Sequence, residues 1–485
     1  MTNLIHQGNS PAWVIDAICY QIFPDRFARA RCDSTQTHAQ DGRTWGFSSH
    51  HMERIRPWGS KPTNYNFFGG NLRGVLERLD YIQDLGCNTL YFCPIFASTA
   101  NHRYHTHDYF RIDPMLGSEH DFDALVDAMH QRHMRIVLDG VFNHCSRGFY
   151  PFNSILECGK ESPFIDWFHI DHWPLNPYGS GKAGYQCWWD LKALPKFNTD
   201  HPQVREYLFS VGEFWMRRGI DGWRLDVPNE IDDDSFWQEF RTRVRAINPQ
   251  AWIVGEIWQE PSRWLQGDQF DGVMNYPFRQ TLVDYLFPGE DERNRNKRHL
   301  DLEDLVEELR DSLTHPQTPW MMNLPGSHDT RRIATLAKKR KNSLYLIWAL
   351  YAFAPGTPCV YYGDEIALEG GKDPDCRRCF PWDQPQQWDH VLRGILQEAF
   401  RLRHEEAVLR SGNLEILTDG PCLILRRKLE NRHTELRANM SDESFVYAVS
   451  RNSVERRFSY GAIPQAESVK LNPKGWLLEL FTSAD

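Results

Sequence analysis

The chain has 485 residues, 41% hydrophobic and 25% charged, which is enough to build a large core and too apolar for a disordered polymer. Its net charge of −10 argues against a nucleic-acid binder, and no apolar run approaches the roughly 20 residues of a membrane span. The first residues show no basic n-region or apolar h-region, and eleven scattered cysteines suit free thiols in a reducing compartment, so a cytoplasmic protein is expected.

Short apolar runs then alternate with helical patterns. Residues 17–23 read as a strand. Leu72, Val75, Leu76, Leu79, Ile82 and Leu85 recur at helical spacing and predict a helix over 70–85. Residues 89–92 form the next strand. Ser118 caps a helix with Asp121 as a near capping box, and 135–139 form a third strand. The rhythm stops at 145–200, which are rich in Gly, Pro, Asn and Trp without a period. So long an interruption predicts a small inserted subdomain or a functional lid.

Alternation resumes with a helix over 201–218, a strand at 220–225, a helix over 234–247 and strands at 252–255 and 272–274. A helix over 301–313, a strand at 320–324, a helix over 342–353 and a strand at 358–362 follow. Eight strands, mostly separated by helices, predict an α/β fold, a (β/α)8 barrel made of 1–144 and 201–409. An open doubly wound sheet is the alternative, weakened because no G-x-G-x-x-G follows the first strand. Beyond 410, strand-like runs flank Asp419-Gly420-Pro421, and 410–485 read as a C-terminal all-β domain, a β-sandwich.

Chemistry gathers where strands end. The third ends in Asp139-Gly140-Val141-Phe142-Asn143-His144, the fourth in Arg224-Leu225-Asp226, the fifth in Gly255-Glu256, and the seventh runs into Ser327-His328-Asp329. Barrel active sites form at that face. Several carboxylates converging there repel one another, which packing alone does not explain. Two close carboxylates acting without a metal suit glycoside hydrolysis, with one as nucleophile and one as acid. Aromatic residues make up 13% of the chain, and their faces beside polar groups suit sugar rings. His144, Asp226, His328 and Asp329 are also potential metal ligands, but the first strand offers only Tyr20-Gln21-Ile22, and no metal is expected. Cys376-x-x-Cys379 is the one close cysteine pair, with no second pair to complete a metal site.

These four regions, in order and spacing, resemble the signatures of the α-amylase superfamily of glycoside hydrolases. The resemblance covers nearly the whole chain and implies a retaining mechanism on a (β/α)8 barrel. It implies Asp226 as nucleophile, Glu256 as general acid/base and Asp329 as stabiliser of the oxocarbenium-like transition state. Arg224 would keep Asp226 ionised, His144 and His328 would bind the sugar at the −1 subsite, and Tyr104 would stack on it. Leu194-Pro195-Lys196-Phe197-Asn198 is similar to the M-P-K-L-N signature of the neopullulanase, cyclomaltodextrinase and maltogenic amylase branch. Residues 370–378 resemble the same branch and make Asp373 and Arg377 sugar-binding candidates.

Three departures from that branch stand out. Its usual N-terminal domain is expected to be missing, because the first barrel strand begins near Ala17. Arg29 and Arg31 occupy a loop where relatives bind calcium, so no calcium is expected from Ala28 to Asp33. Asn71 replaces an acidic residue after Gly69-Gly70, and His105 replaces an Asp, with packing its expected role.

The resemblance implies a hydrolase of α-1,4 and α-1,6 bonds in malto-oligosaccharides, pullulan, cyclodextrins or branched glucans, without a cofactor. A glucanotransferase or an exo-acting α-glucosidase on the same scaffold is the alternative. An inactive sugar-binding homologue is the rival of a different class. The partner is an α-glucan substrate, with no nucleic acid and no membrane. A homodimer is one possible assembly.

Overall fold

The structure, a computed structural model, describes residues 10–30, 55–291, 299–448 and 454–482. Ten strands precede the C-terminal region: β1 (Cys19–Ile22), β2 (Thr89–Phe92), β3 (Phe96–Ser98), β4 (Thr106–Ile112), β5 (Arg135–Gly140), β6 (Gly222–Leu225), β7 (Trp252–Gly255), β8 (Gly272–Val273), β9 (Met322–Asn323) and β10 (Thr357–Tyr361). β3 and β4 pair as a separate antiparallel hairpin. The other eight form one parallel sheet in the order β8-β7-β6-β5-β2-β1-β10-β9. A parallel bridge from Met274 to Met322 joins its two ends, so the sheet closes into the (β/α)8 barrel that the strand–helix rhythm predicts. Most of these strands are buried on both faces, as a parallel sheet wrapped by helices requires.

Local chemistry sets the outer helices. Glu119–Gln131 starts in a complete capping box: Asp121 N–H donates to Ser118 Oγ, and Ser118 N–H donates to Asp121 Oδ2. Leu302–Leu313 does the same with Asp301 and Asp304. Pro202 opens Pro202–Arg217 at a position that needs no N–H donor. Lys341–Phe353 is buried along almost its whole length, which explains its unbroken apolar run.

Several elements differ from the sequence expectation. The helix expected over 70–85 is two, Leu72–Leu76 and Leu79–Asp84, because Arg78 between them leaves helical geometry at φ −111, ψ 8. Asn71 caps the first of them, its Oδ1 accepting from Gly74 N–H at 2.7 Å, which gives this departure from the family a local role. The β3–β4 hairpin and the helix Tyr276–Leu286 carried no periodic signal. The latter holds Pro277 in its first turn and is capped by Asn275.

The stretch 145–200 contains one α-helix, Tyr150–Cys158, and short 3-10 turns. Isolated bridges hold it together: His144 with Lys196, Phe168 with Phe197, Ile170 with Tyr185 and Cys187 with Pro195. Residues 194–198 therefore lie directly against the end of β5. Lys196 Nζ also donates to the Glu230 carbonyl at 2.8 Å.

Beyond the barrel, β11 (Asn413–Asp419), β12 (Cys422–Leu429), β13 (Arg432–Asn439), β14 (Phe445–Ala448), β15 (Val454–Pro464) and β16 (Ser468–Thr482) are all antiparallel. Asp419 pairs with Cys422 around Gly420, whose φ of +53 suits the tight turn. Hydrogen bonding runs through one six-stranded sheet, with β16 pairing β13, β14 and β15 along its length. Two buried arginines meet the end of the helix Lys341–Phe353, Arg427 from the sheet and Arg403 from the helix His390–Glu405. Arg427 Nη1 donates to the Phe353 carbonyl, and Arg403 Nη1 donates to those of Ala352 and Ala354. Both thereby satisfy carbonyls at the C-terminal end of Lys341–Phe353.

Candidate active site

Parallel register lines up the chemistry. Asp139 of β5 pairs with Arg224 of β6, and Arg224 pairs with Val254 of β7. Residues just past these strand ends therefore converge at one face. Arg224 is fully buried there. Its Nη1 donates to Asp139 Oδ1 at 2.8 Å and to Asp226 Oδ1 at 3.0 Å. Its Nη2 lies 2.9 Å from Glu256 Oε2 as an ion pair, off the direction of a hydrogen bond. One guanidinium thus contacts three carboxylates from three strand ends.

Asp139 was not among the expected site residues, although it opens the 139–144 run. It accepts from the Tyr91 hydroxyl at 2.7 Å and from the Tyr104 hydroxyl at 3.0 Å. Tyr104 also reaches His328 Nε2 at 2.6 Å, and the two rings stack 8° apart. Gln21, at the end of β1, lies 2.9 Å from His328 Nδ1 through its amide nitrogen. A donated hydrogen bond there leaves the proton of the neutral ring on Nε2. His328 Nε2 is 3.1 Å from Asp329 Oδ2. Arg377 Nη2 donates to Asp329 Oδ1 at 3.3 Å, and its Nη1 pairs with Asp373 Oδ1 at 3.0 Å. An unbroken chain of contacts therefore joins Glu256 and Asp226, through Arg224 and Asp139, to Tyr104, His328, Asp329, Arg377 and Asp373.

His144 completes the set from the end of β5. Its ring stacks on Trp188 at 5.3 Å and 19°. Burial pushes its imidazole down to about 3, His105 acts the same way, and a hydrogen bond with the Tyr104 backbone opposes them. His144 is therefore neutral at physiological pH. His105 itself packs edge-on against His102 at 4.7 Å.

The carboxylates are unequal. Burial pushes Glu256 up to about 7; Arg224 opposes this, and Asp329 adds to it. Its Oε2 accepts from Val227 N–H at 3.1 Å and its Oε1 from Trp258 Nε1 at 3.2 Å. Burial also raises Asp226, against the pull of Arg224, with Glu256 and Asp139 pushing the same way as burial. Glu256 can thus hold a proton near neutrality, and Arg224 is the group that pulls Asp226 toward its ionised form. That is the division of labour that acid-assisted nucleophilic displacement needs.

Trp258, Tyr91 and Gln21 were also missed by sequence reading. Trp258 stacks on Tyr276 with ring centroids 3.4 Å apart. Its signal was its position two residues after Glu256. Tyr91 and Gln21 carried no signal beyond their places in the first two barrel strands.

Among the described residues, no group of three or more His, Cys, Asp or Glu side chains could hold a metal ion. The Ala28–Asp33 loop lies, from position 31 onward, outside the described residues. Cys376 and Cys379 are free thiols, each pushed up to about 12 by burial, and Cys376 Sγ donates to the His328 carbonyl. No helix among the described residues is long and apolar enough to cross a membrane.

A family model described as alpha amylase, catalytic domain, matches residues 21–394. A cyclomaltodextrinase of a Bacillus species is 44% identical over 415 residues, which are 84% of this chain and 69% of that enzyme. Among solved structures, the cyclic α-maltosyl-(1→6)-maltose hydrolase of Arthrobacter globiformis superposes with a TM-score of 0.86 at 33% identity, covering 97% of this chain and all of that one. The debranching enzyme of Nostoc punctiforme superposes at 0.85 with 38% identity, covering 97% of this chain and 99% of that one. With that match over most of its length, the chain belongs to the α-amylase family of glycoside hydrolases.

Proposed function

We propose that this chain is a retaining α-glucan hydrolase that cleaves α-1,4 and α-1,6 glucosidic bonds in malto-oligosaccharides, pullulan, cyclodextrins or branched glucans. The observation that carries this reading is the single guanidinium of Arg224, set between Asp226 and Glu256. Asp226 attacks the anomeric carbon while Glu256 gives its proton to the leaving oxygen. Water then opens the glycosyl ester on Asp226, and Glu256 takes a proton from that water. Two inversions at one carbon leave the α configuration.

The surrounding groups suit these steps. Arg224 favours the ionised form of Asp226 against burial. Asp329, between His328 and Arg377, places negative charge near the developing oxocarbenium ion. His144, which is neutral, and His328 bind sugar hydroxyls, Tyr104 presents a ring to the −1 sugar, and Asp373 with Arg377 holds hydroxyls beside it. The names of the relatives, among them a debranching enzyme and a hydrolase of a cyclic maltosyl-maltose, support both linkages. Buried free thiols suit a reducing cytoplasm.

Transfer to a sugar acceptor is the second reading. Trp258 favours it, because its ring is 36% exposed while its Nε1 touches Glu256. Such a ring can hold an incoming sugar where water would otherwise attack. Product analysis on maltoheptaose, pullulan, cyclodextrin and amylopectin tests both readings, with NMR of the first anomer released. The hydrolase reading expects α-anomeric reducing sugars from several of these; β-anomeric product would overturn retention.

A further inference from the structure

Trp189 is 75% exposed, a position that burial of apolar surface does not favour. Its backbone is left-handed, at φ 49 and ψ 38, and Asp190 follows at φ 57. Two adjacent non-glycine residues in that region are strained, and such strain persists where surrounding structure holds it. Here the turn is held by Trp188 N–H donating to the Leu194 carbonyl at 3.0 Å and Leu191 N–H donating to the Trp188 carbonyl at 2.9 Å.

The Trp189 ring stacks on Trp188 at 4.9 Å and 15°. Trp188 in turn stacks on His144 at 5.3 Å and 19°. Three nearly parallel rings therefore lead from the strand-end histidine to the surface of the inserted region. Asp190 is exposed beside the last ring. A flat apolar face next to a carboxylate matches a pyranose, whose C–H face lies on the ring while its hydroxyls donate to the carboxylate. No core contact accounts for a strained, outward-facing tryptophan; a sugar ring does.

We infer that Trp189 is a platform for a glucosyl ring remote from the cleaved bond, and that it sets the preference of the enzyme for long or branched chains. The inference rests on the α-glucan reading of the site. A remote ring of this kind contributes only when the substrate is long enough to reach it.

The test compares the full chain with Trp189→Ala and Trp189→Phe, using maltotriose, maltoheptaose and a branched maltooligosaccharide. Trp189→Ala is expected to lose about fivefold to tenfold in kcat/KM on the two longer sugars, mainly through KM. Maltotriose should change least, less than about twofold, because binding across the cleaved bond leaves it few rings to place on the platform. Trp189→Phe should restore most of the loss, since it returns a ring face. Equal loss on all three sugars, or no loss on the long ones, would overturn the inference.

Calorimetry of maltoheptaose binding to Glu256→Gln, with and without Trp189→Ala, separates the platform from the chemistry. Weaker binding in the double variant supports the platform even if the wild-type chain turns over no glucan. Unchanged affinity, or no binding to either protein, removes it.

Discussion

Arg224 meets Glu256 through Nη2, 2.9 Å from Oε2, although Arg224 lies on β6 and Glu256 follows the end of β7. The same guanidinium holds Asp226 and Asp139 through Nη1. One positive charge therefore serves three carboxylates, and a second arginine, Arg377, serves Asp329 and Asp373. Five carboxylates against two guanidiniums cannot all ionise cheaply in a buried site. Glu256, raised to about 7, is one group that can keep a proton, and burial raises Asp226 as well, against the pull of Arg224.

That proton gives the enzyme a pH profile. As pH rises through about 7, Glu256 loses the proton it must deliver, and kcat/KM is expected to fall. An activated substrate whose leaving group needs no proton should lose this alkaline limb. Stability follows the same sign. The folded Glu256 stays protonated between its ordinary 4.5 and about 7, while the unfolded chain ionises there. Its contribution is therefore present below 4.5 and lost as pH rises toward 7. Glu256→Gln should flatten that part of the curve of melting temperature against pH.

Asp226→Asn and Glu256→Gln should each reduce turnover by at least about 10²–10⁴-fold. Each removes an ionisable carboxyl from a crowded buried cluster that disfavours its charge. Melting temperature should therefore hold or rise. A drop in melting temperature that parallels the loss of activity would point to misfolding instead.

Asp139 should matter as much as its neighbours, although it does not reach the reacting carbon. Asp139→Ala leaves Arg224 with one fewer buried carboxylate and leaves the Tyr91 and Tyr104 hydroxyls without their acceptor. A loss of about 3–5 kcal/mol in stability is expected. Asp139→Asn keeps an acceptor and should fold better, but it shifts the pH profile, because a charge near Asp226 and Glu256 is gone. Denaturant unfolding and the two pH profiles check this together.

Arg403 predicts an effect on stability alone. Its guanidinium donates only to carbonyls, among them those of Ala352, Ala354 and Leu409. Arg403→Met would leave these buried acceptors unpaired, at about 1–3 kcal/mol each for those that water does not reach. Denaturation midpoints should fall while KM on maltoheptaose stays the same. A change in KM without a change in stability would refute a purely structural role for Arg403.

Much of the fold was legible because barrel strands and helices write their periods locally. The strands at 89–92 and 252–255 and the helix over 234–247 were readable from apolar spacing and caps alone. The two short helices at 72–84 shared one apolar stripe, and nothing in the stripe marks Arg78 as the break. Residues 145–200 hold together by isolated bridges and ring contacts, which leave no period to read.

The sequence by itself determined the strand–helix order, and it brought acid, arginine and histidine to the strand ends at spacings particular to one family. Those features are local, so a linear reading reaches them. Tertiary structure alone decided that Asp139 joins the site, that burial raises both Glu256 and Asp226 against the pull of Arg224, and that one arginine bridges carboxylates from three strand ends. Protonation depends on burial and on nearby charges in space, and the charges that act on Glu256 include Asp139, far away in the chain.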